Sequence, residues 1–181
     1  MREALRLGSR LLVIALIAGL ALGAAYVLTK EPIARQSQLA AQQARSRVFP
    51  GDFAQDTQTK LTGNIQAMYL SAEQKGYILE VKTSGYGGPF LVTVGVAADG
   101  EIRGVVVGDN KETPGLGKNA QNESFTAQFV AKNGQLAVKK GGAAGEAEVD
   151  ALTGATITTQ AVTDAVNEAR DFVRGLGGMA S

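Results

Sequence analysis

The sequence predicts an α+β fold carried behind a single N-terminal membrane helix. Three observations lead there: an uncharged apolar run near the start, two central segments in which apolar and polar residues alternate, and a final stretch whose apolar residues recur at helical spacing. Once a membrane segment and a polar stalk are set aside, 181 residues leave one domain of ordinary size.

The apolar run extends from Leu11 to Thr29 with no charge, which as a helix spans roughly 28 Å at about 1.5 Å per residue, the thickness of a bilayer core. Arg2, Arg6 and Arg10 precede it against one acid, Glu3, whereas Lys30, Glu31 and Arg35 follow with mixed sign. That bias predicts a cytoplasmic N-terminus and an extracytoplasmic remainder. Ala21-Leu22-Gly23 resembles a signal-peptidase site, but the run continues through Tyr26, Val27 and Leu28 to Lys30, longer than a signal h-region. An uncleaved anchor is the expectation, with Gly19 and Gly23 spaced to pack against a partner helix.

Residues 1–30 are therefore read as tail and membrane helix, 31–48 as a helical stalk rich in Ala, Gln and Arg that ends before Pro50, and 49–181 as the outer domain. Signals from Phe49 to Leu70 are mixed and assign no element. Tyr77, Leu79 and Val81, then Phe90, Val92, Val94 and Val96, alternate with their neighbours as half-buried strands. Asp99-Gly100 supplies hairpin turn chemistry before Ile102–Val107. Asn122 is expected to cap a short helix presenting Phe125, Phe129 and Val130 and stopped by Asn133-Gly134, with Leu136–Lys139 returning as a strand. The last helix is expected from about Thr158, with Val162, Ala165, Val166, Ala169, Phe172 and Val173 on one face, ending at Gly175.

Composition narrows the chemistry. Eighteen basic residues against seventeen acidic leave no electrostatic footprint for nucleic acid. Cys and His are both absent, which removes the usual ligands of haem, iron–sulfur clusters and catalytic zinc, together with disulfides, Cys nucleophiles and His-based triads. No metal site and no catalytic residue is expected, so any electron-handling role calls for an organic cofactor.

Three Gly-rich segments remain. Ser84-Gly85-Tyr86-Gly87-Gly88-Pro89 precedes the long strand, Glu112-Thr113-Pro114-Gly115-Leu116-Gly117 follows the hairpin, and Val149-Asp150-Ala151-Leu152-Thr153-Gly154-Ala155-Thr156 leads into the last helix. Each is explicable alone as turn or cap chemistry. Asp150, Thr153, Gly154, Ala155 and Thr156, however, match the flavinylation motif of the FMN-binding domain family: an acid, two residues, then Ser or Thr, Gly, Ala, Thr. In that order with the other two segments, the chain resembles the G subunit of Rnf-type ion-translocating ferredoxin:NAD oxidoreductases, and next the C subunit of sodium-pumping NADH:quinone oxidoreductase, over about residues 77–174.

The resemblance implies FMN joined by a phosphoester to Thr156 and delivered from FAD by a separate metal-dependent flavin transferase. Asp150, Thr153, Gly154 and Ala155 would serve transferase recognition, and Tyr86, Glu112, Thr113 and Leu116 would lie about the flavin. A threonine without a His or Cys base nearby is a poor nucleophile, so activation from another protein agrees with its chemistry. The resemblance further implies an electron-relay subunit in a bacterial inner-membrane complex, a periplasmic flavin domain, and partner subunits with flavin and iron–sulfur centres. One position departs: family members commonly carry His shortly before ETPGLG, and Asp109-Asn110-Lys111 stands here. That departure is the one feature favouring a competing reading, a membrane-tethered scaffold or sensory domain without redox work. An independent flavin reductase lacks support, since no GxGxxG follows a strand.

Overall fold

The computed structural model describes residues 2–71, 76–141 and 145–178. A single helix, α1 (Arg2–Val48), joins the apolar run to the polar segment after it. Pro32 lies inside this helix, where it can donate no hydrogen bond to the preceding turn. Leu11, Leu12, Leu16, Ile17, Leu20 and Leu22 are all exposed. Among the described residues α1 is the one helix long and apolar enough to cross a membrane. The chain divides into two units, Met1–Ala40 and Ala41–Ser181.

The second unit is built on a five-stranded antiparallel meander of β1 (Phe53–Asp56), β2 (Ile65–Ser71), β3 (Gly76–Gly85), β4 (Gly88–Ala97) and β5 (Ile102–Val107), neighbours in chain order throughout. β1 and β2 occupy the stretch whose sequence signals were mixed. Polar Gln55, Asp56, Gln66 and Ser71 dilute their apolar pattern, and pairing with β3 supplies what propensity does not. The β4–β5 hairpin turns as expected at Asp99-Gly100: Gly100 has φ +87°, and Ala97 N–H donates to the Glu101 carbonyl at 2.8 Å.

The half-buried expectation for β3 and β4 is corrected. Leu79, Val81, Phe90, Val92, Val94 and Val96 join the main core, but Ile78 on the opposite face is fully buried as well, under Val48 and Phe49. Glycines make this second cover possible. A Cβ on Gly76 would lie 2.6 Å from the Phe49 ring, one on Gly95 3.0 Å from Val48 Cβ, and one on Gly104 3.0 Å from Val48 Cα. Gly95 and Gly104 are direct partners across β4 and β5, so the sheet carries a trough into which Val48 and Phe49 settle. Beside it the Arg45 guanidinium bonds Glu80 and the Tyr69 hydroxyl and lies 4.3 Å from the Tyr69 ring centroid.

Beyond β5 come a 3-10 turn (Gly117–Gln121), a one-turn helix α2 (Glu123–Thr126) and a second 3-10 turn (Ala127–Phe129). Phe125 and Phe129 are buried, ring edge to ring face at 5.4 Å, but Val130 is exposed. Asn122 precedes α2 with no side-chain cap; its carbonyl accepts from Phe125 and Thr126 N–H instead. β6 (Ala137–Lys139) and β7 (Glu148–Asp150) form a separate parallel pair. The last helix, α3 (Thr156–Gly178), starts two residues before the expected Thr158 and runs through Gly175. Apolar packing of Val166, Ala169 and Val173 onto the sheet carries it past that glycine, with Phe172 and Leu176 partly buried beside them.

Candidate functional site

The three Gly-rich segments, remote in sequence, meet around one carboxylate. Ser84–Pro89 is the tip of the β3–β4 hairpin, a two-residue turn at Tyr86-Gly87 between the paired Gly85 and Gly88. Gly117 and Glu112 bracket a tight turn in which the Thr113 carbonyl accepts from Leu116 N–H (3.1 Å) and Lys118 N–H (3.2 Å), with Gly115 at φ +79°. Thr153-Gly154 is a turn closed by Ala155 N–H donating to the Leu152 carbonyl (2.9 Å), with Gly154 at φ +74°.

Glu112 is only 5% exposed. Its Oε1 accepts from Gly87 N–H at 2.8 Å and its Oε2 from the Thr158 hydroxyl at 2.7 Å. The carboxylate thus ties the hairpin tip to the first turn of α3. Glycines are cut away around it, since a Cβ on Gly85 would stand 2.4 Å from Oε1 and one on Gly117 2.3 Å from Oε2. Gly87 has no more room, its Cβ position lying 2.3 Å from the Lys111 carbonyl oxygen. A Cβ on Gly154 would lie 3.0 Å from Leu116 Cδ2, which places the second loop against the third.

Thr156 is the first residue of α3 and half-buried; Thr153 and Gly154 are exposed and Ala155 is buried. Thr159, fully buried, holds the turn from inside: its hydroxyl accepts from Leu152 N–H (3.1 Å) and donates to the Ala155 carbonyl (3.0 Å). The N–H groups of a first helical turn have no carbonyl within their own helix to receive them, so the Thr156 end of this 23-residue helix favours an anionic group. Tyr86 is 77% exposed, and Leu116 and Ile157 flank the turn as exposed apolar groups. Asp150 closes β7 with its N–H bonded to Gln128 Oε1 (2.8 Å), while its Oδ1 is buried with no hydrogen-bond partner among the described residues. Such an orphan acceptor costs free energy unless a partner from outside the chain meets it.

Asp109, Asn110 and Lys111 stand just ahead of Glu112. Asn110, buried, accepts from Glu112 N–H at 3.2 Å through Oδ1 and donates to the Gly108 carbonyl at 3.1 Å. Lys118 spans the loop to Asp109 (3.0 Å) and the Asn110 carbonyl (2.9 Å), and hydrogen bonding to that ammonium, then its charge, hold the Asp109 carboxyl below its ordinary value. Asn110, Thr158 and Thr159 are hydrogen-bonded neighbours of the site that sequence reasoning did not single out as site residues. Thr158 and Thr159 were visible only as extra threonines at a helix start, and their inward direction follows from where α3 begins.

Among known proteins, the FMN-binding domain family model matches residues 85–171, a span that contains all three loops except Ser84. The G subunit of the proton-translocating ferredoxin:NAD(+) oxidoreductase complex of Clostridium ljungdahlii is 35% identical over 162 residues, covering 87% of this chain and 84% of that one. The G subunit of the ion-translocating oxidoreductase complex of Methanosarcina acetivorans is 30% identical, covering 90% of each. The chain belongs to the G-subunit family of ion-translocating oxidoreductase complexes. Its fold is shared with the crystal structure of the C subunit of Na(+)-translocating NADH-quinone reductase from Parabacteroides distasonis, at a TM-score of 0.51 and 23% identity over 68% of this chain and 75% of that one. In this family member the buried side chain preceding Lys111 is an amide that braces Glu112, so the loop is held without an imidazole.

Proposed function

We propose that this chain is an electron-relay subunit of a membrane-bound ion-translocating oxidoreductase complex, working through FMN attached to Thr156 by a phosphoester. The observation that carries the reading is the meeting of the three loops at the start of α3, with Thr156 at the surface and Glu112 beneath. The free N–H groups of the first turn suit a phosphodiester there, and Tyr86, Leu116 and Ile157 offer apolar surface to a ring system. Asp150, Thr153, Gly154 and Ala155 form the turn that a flavin transferase reads. In that transfer the Thr156 hydroxyl forms a bond to the flavin-side phosphorus of FAD, the pyrophosphate linkage breaks, AMP leaves, and the hydroxyl proton is lost. When bound, the cofactor supplies reversible one- and two-electron chemistry. The chain itself holds the phosphate end and orients the turn, and it contributes no soluble-substrate site. The partners are membrane proteins of the same complex bearing flavin and iron–sulfur centres, and the domain faces the extracytoplasmic side.

Mass spectrometry of protein co-expressed with a flavin transferase tests the attachment. A peptide containing Thr156 should carry the mass of FMN less one water, and Thr156→Ala should be folded and colourless. A covalently fluorescent band persisting in that variant under denaturing electrophoresis would overturn the assignment. Wild-type electron flow through a complex assembled with the colourless variant would return the chain to the scaffold reading.

A further inference from the structure

We propose that Glu112 is a positioning residue for the flavin-bearing turn and that Thr158, outside the attachment motif, is the group through which it acts. This rests on the assignment of Thr156 as the attachment residue. Thr158 follows Thr156 by two positions, so the two side chains leave the helix about 200° apart at 100° per residue. Accordingly Thr158 is 1% exposed and points inward, whereas Thr156 is half-buried at the surface. Pinning the Thr158 hydroxyl therefore pins the rotation of the first helical turn about its axis, and with it the direction of the Thr156 Cβ–Oγ1 bond.

The other end of the strut is equally definite. Glu112 reaches Thr158 with one oxygen and Gly87 N–H with the other, so a side chain of fixed length separates α3 from the residue next to Tyr86. Asn110 fixes the Glu112 backbone from behind. Gly85 and Gly117 leave the space that the carboxylate fills, since a Cβ on either would stand within 2.4 Å of one of its oxygens. No ion pair involves Glu112 among the described residues, so its two oxygens are committed to these two neutral donors rather than to neutralising a buried cation. A buried carboxylate is costly to desolvate, and here each of its oxygens accepts a hydrogen bond, one from the hairpin tip and one from the first turn of α3. The β3 side adds one more tie, from the Thr83 hydroxyl to the Ala161 carbonyl one turn further along α3 (3.1 Å).

The test uses the full-length chain in detergent, loaded by a flavin transferase, with time-resolved flavin fluorescence anisotropy and visible-region circular dichroism read on the covalently loaded fraction. Thr158→Val keeps the shape and removes the hydroxyl; it should add a fast depolarisation phase and lose visible dichroism. Thr158→Ser should restore both signals. Thr158→Ala, which brings no extra methyl into the pocket, is the second arm should the valine variant melt early, and it should behave as Thr158→Val is expected to. Native anisotropy and dichroism in the loaded valine or alanine variant would overturn the strut, as would a serine variant that fails to restore them. Failure of the underlying reading is separately visible, as wild-type protein without covalent flavin or flavin retained in Thr156→Ala.

Discussion

Thr156, Thr158 and Thr159 show how three like residues acquire different work from the helix that holds them. Thr156 is half-buried at the helix start, Thr158 meets Glu112, and Thr159 closes the Leu152–Ala155 turn. A second residue-scale device closes the strand β1. Asp56 accepts from the Thr59 hydroxyl (2.6 Å) and from the Gln58 and Thr59 N–H groups (2.7 and 3.2 Å). These bonds, the Thr59 hydroxyl foremost, favour the charged form and lower the carboxyl below its ordinary value. The sign follows: a group whose folded value is depressed adds stability that is complete above the unfolded value, about 3.9, and is lost as pH falls through the folded value. Thermal melts of wild type should therefore lose stability on acidification below about pH 4 more steeply than those of Asp56→Asn, in which the group cannot titrate. Parallel acid limbs for the two proteins would assign the turn no part in acid sensitivity.

At the scale of elements, the outer face of the sheet depends on the last two turns of α1. Val48 and Phe49 fill the trough at Gly76, Gly95 and Gly104, and Arg45 sits among Glu80, Tyr69 and Phe53. Arg45 and Glu80 side chains are 11% and 12% exposed, so neither charge is well solvated alone. Removing one partner should then cost more than removing both. Glu80→Ala is expected to destabilise the chain by about 3 kcal/mol or more, while a matched apolar pair, Arg45→Met with Glu80→Leu, should come within about 1 kcal/mol of wild type. Denaturant melts of the two variants check this, and equal losses in both would show that the pair contributes as packing and not as charge.

For the whole molecule, the decisive asymmetry is between an α1 segment whose apolar side chains are exposed and a second unit whose apolar side chains form a core. Arg2, Arg6 and Arg10 ahead of the apolar run predict an N-terminus in the cytoplasm. Reporter fusions after Arg47 should accordingly be active with an extracytoplasmic reporter and silent with a cytoplasmic one. Cytoplasmic activity at that junction would reverse the side on which the flavin domain works. Holding the domain at a bilayer would raise its effective concentration toward other subunits of a membrane complex.

What the sequence determined by itself was local. The apolar run, the β3 to β5 alternation with its Asp-Gly turn, and the three Gly-rich loops were legible because each follows from a short-range rule of length, period or turn chemistry. β1 and β2 were not legible, since their polar residues break the apolar pattern and it is strand pairing together with burial of Ile65 and Met68 that stabilises them, and Gly175 read as a helix end until packing on the sheet carried α3 past it. In the site, the loops could be listed from sequence but not assembled. That one buried carboxylate would join Gly87 to Thr158 across 25 and 46 residues is a long-range fact. So is the glycine trough, whose members become neighbours only through strand register. Tertiary structure decided both, because hydrogen bonds and close contacts between remote segments depend on the register and rotation of whole elements, which no local residue pattern encodes.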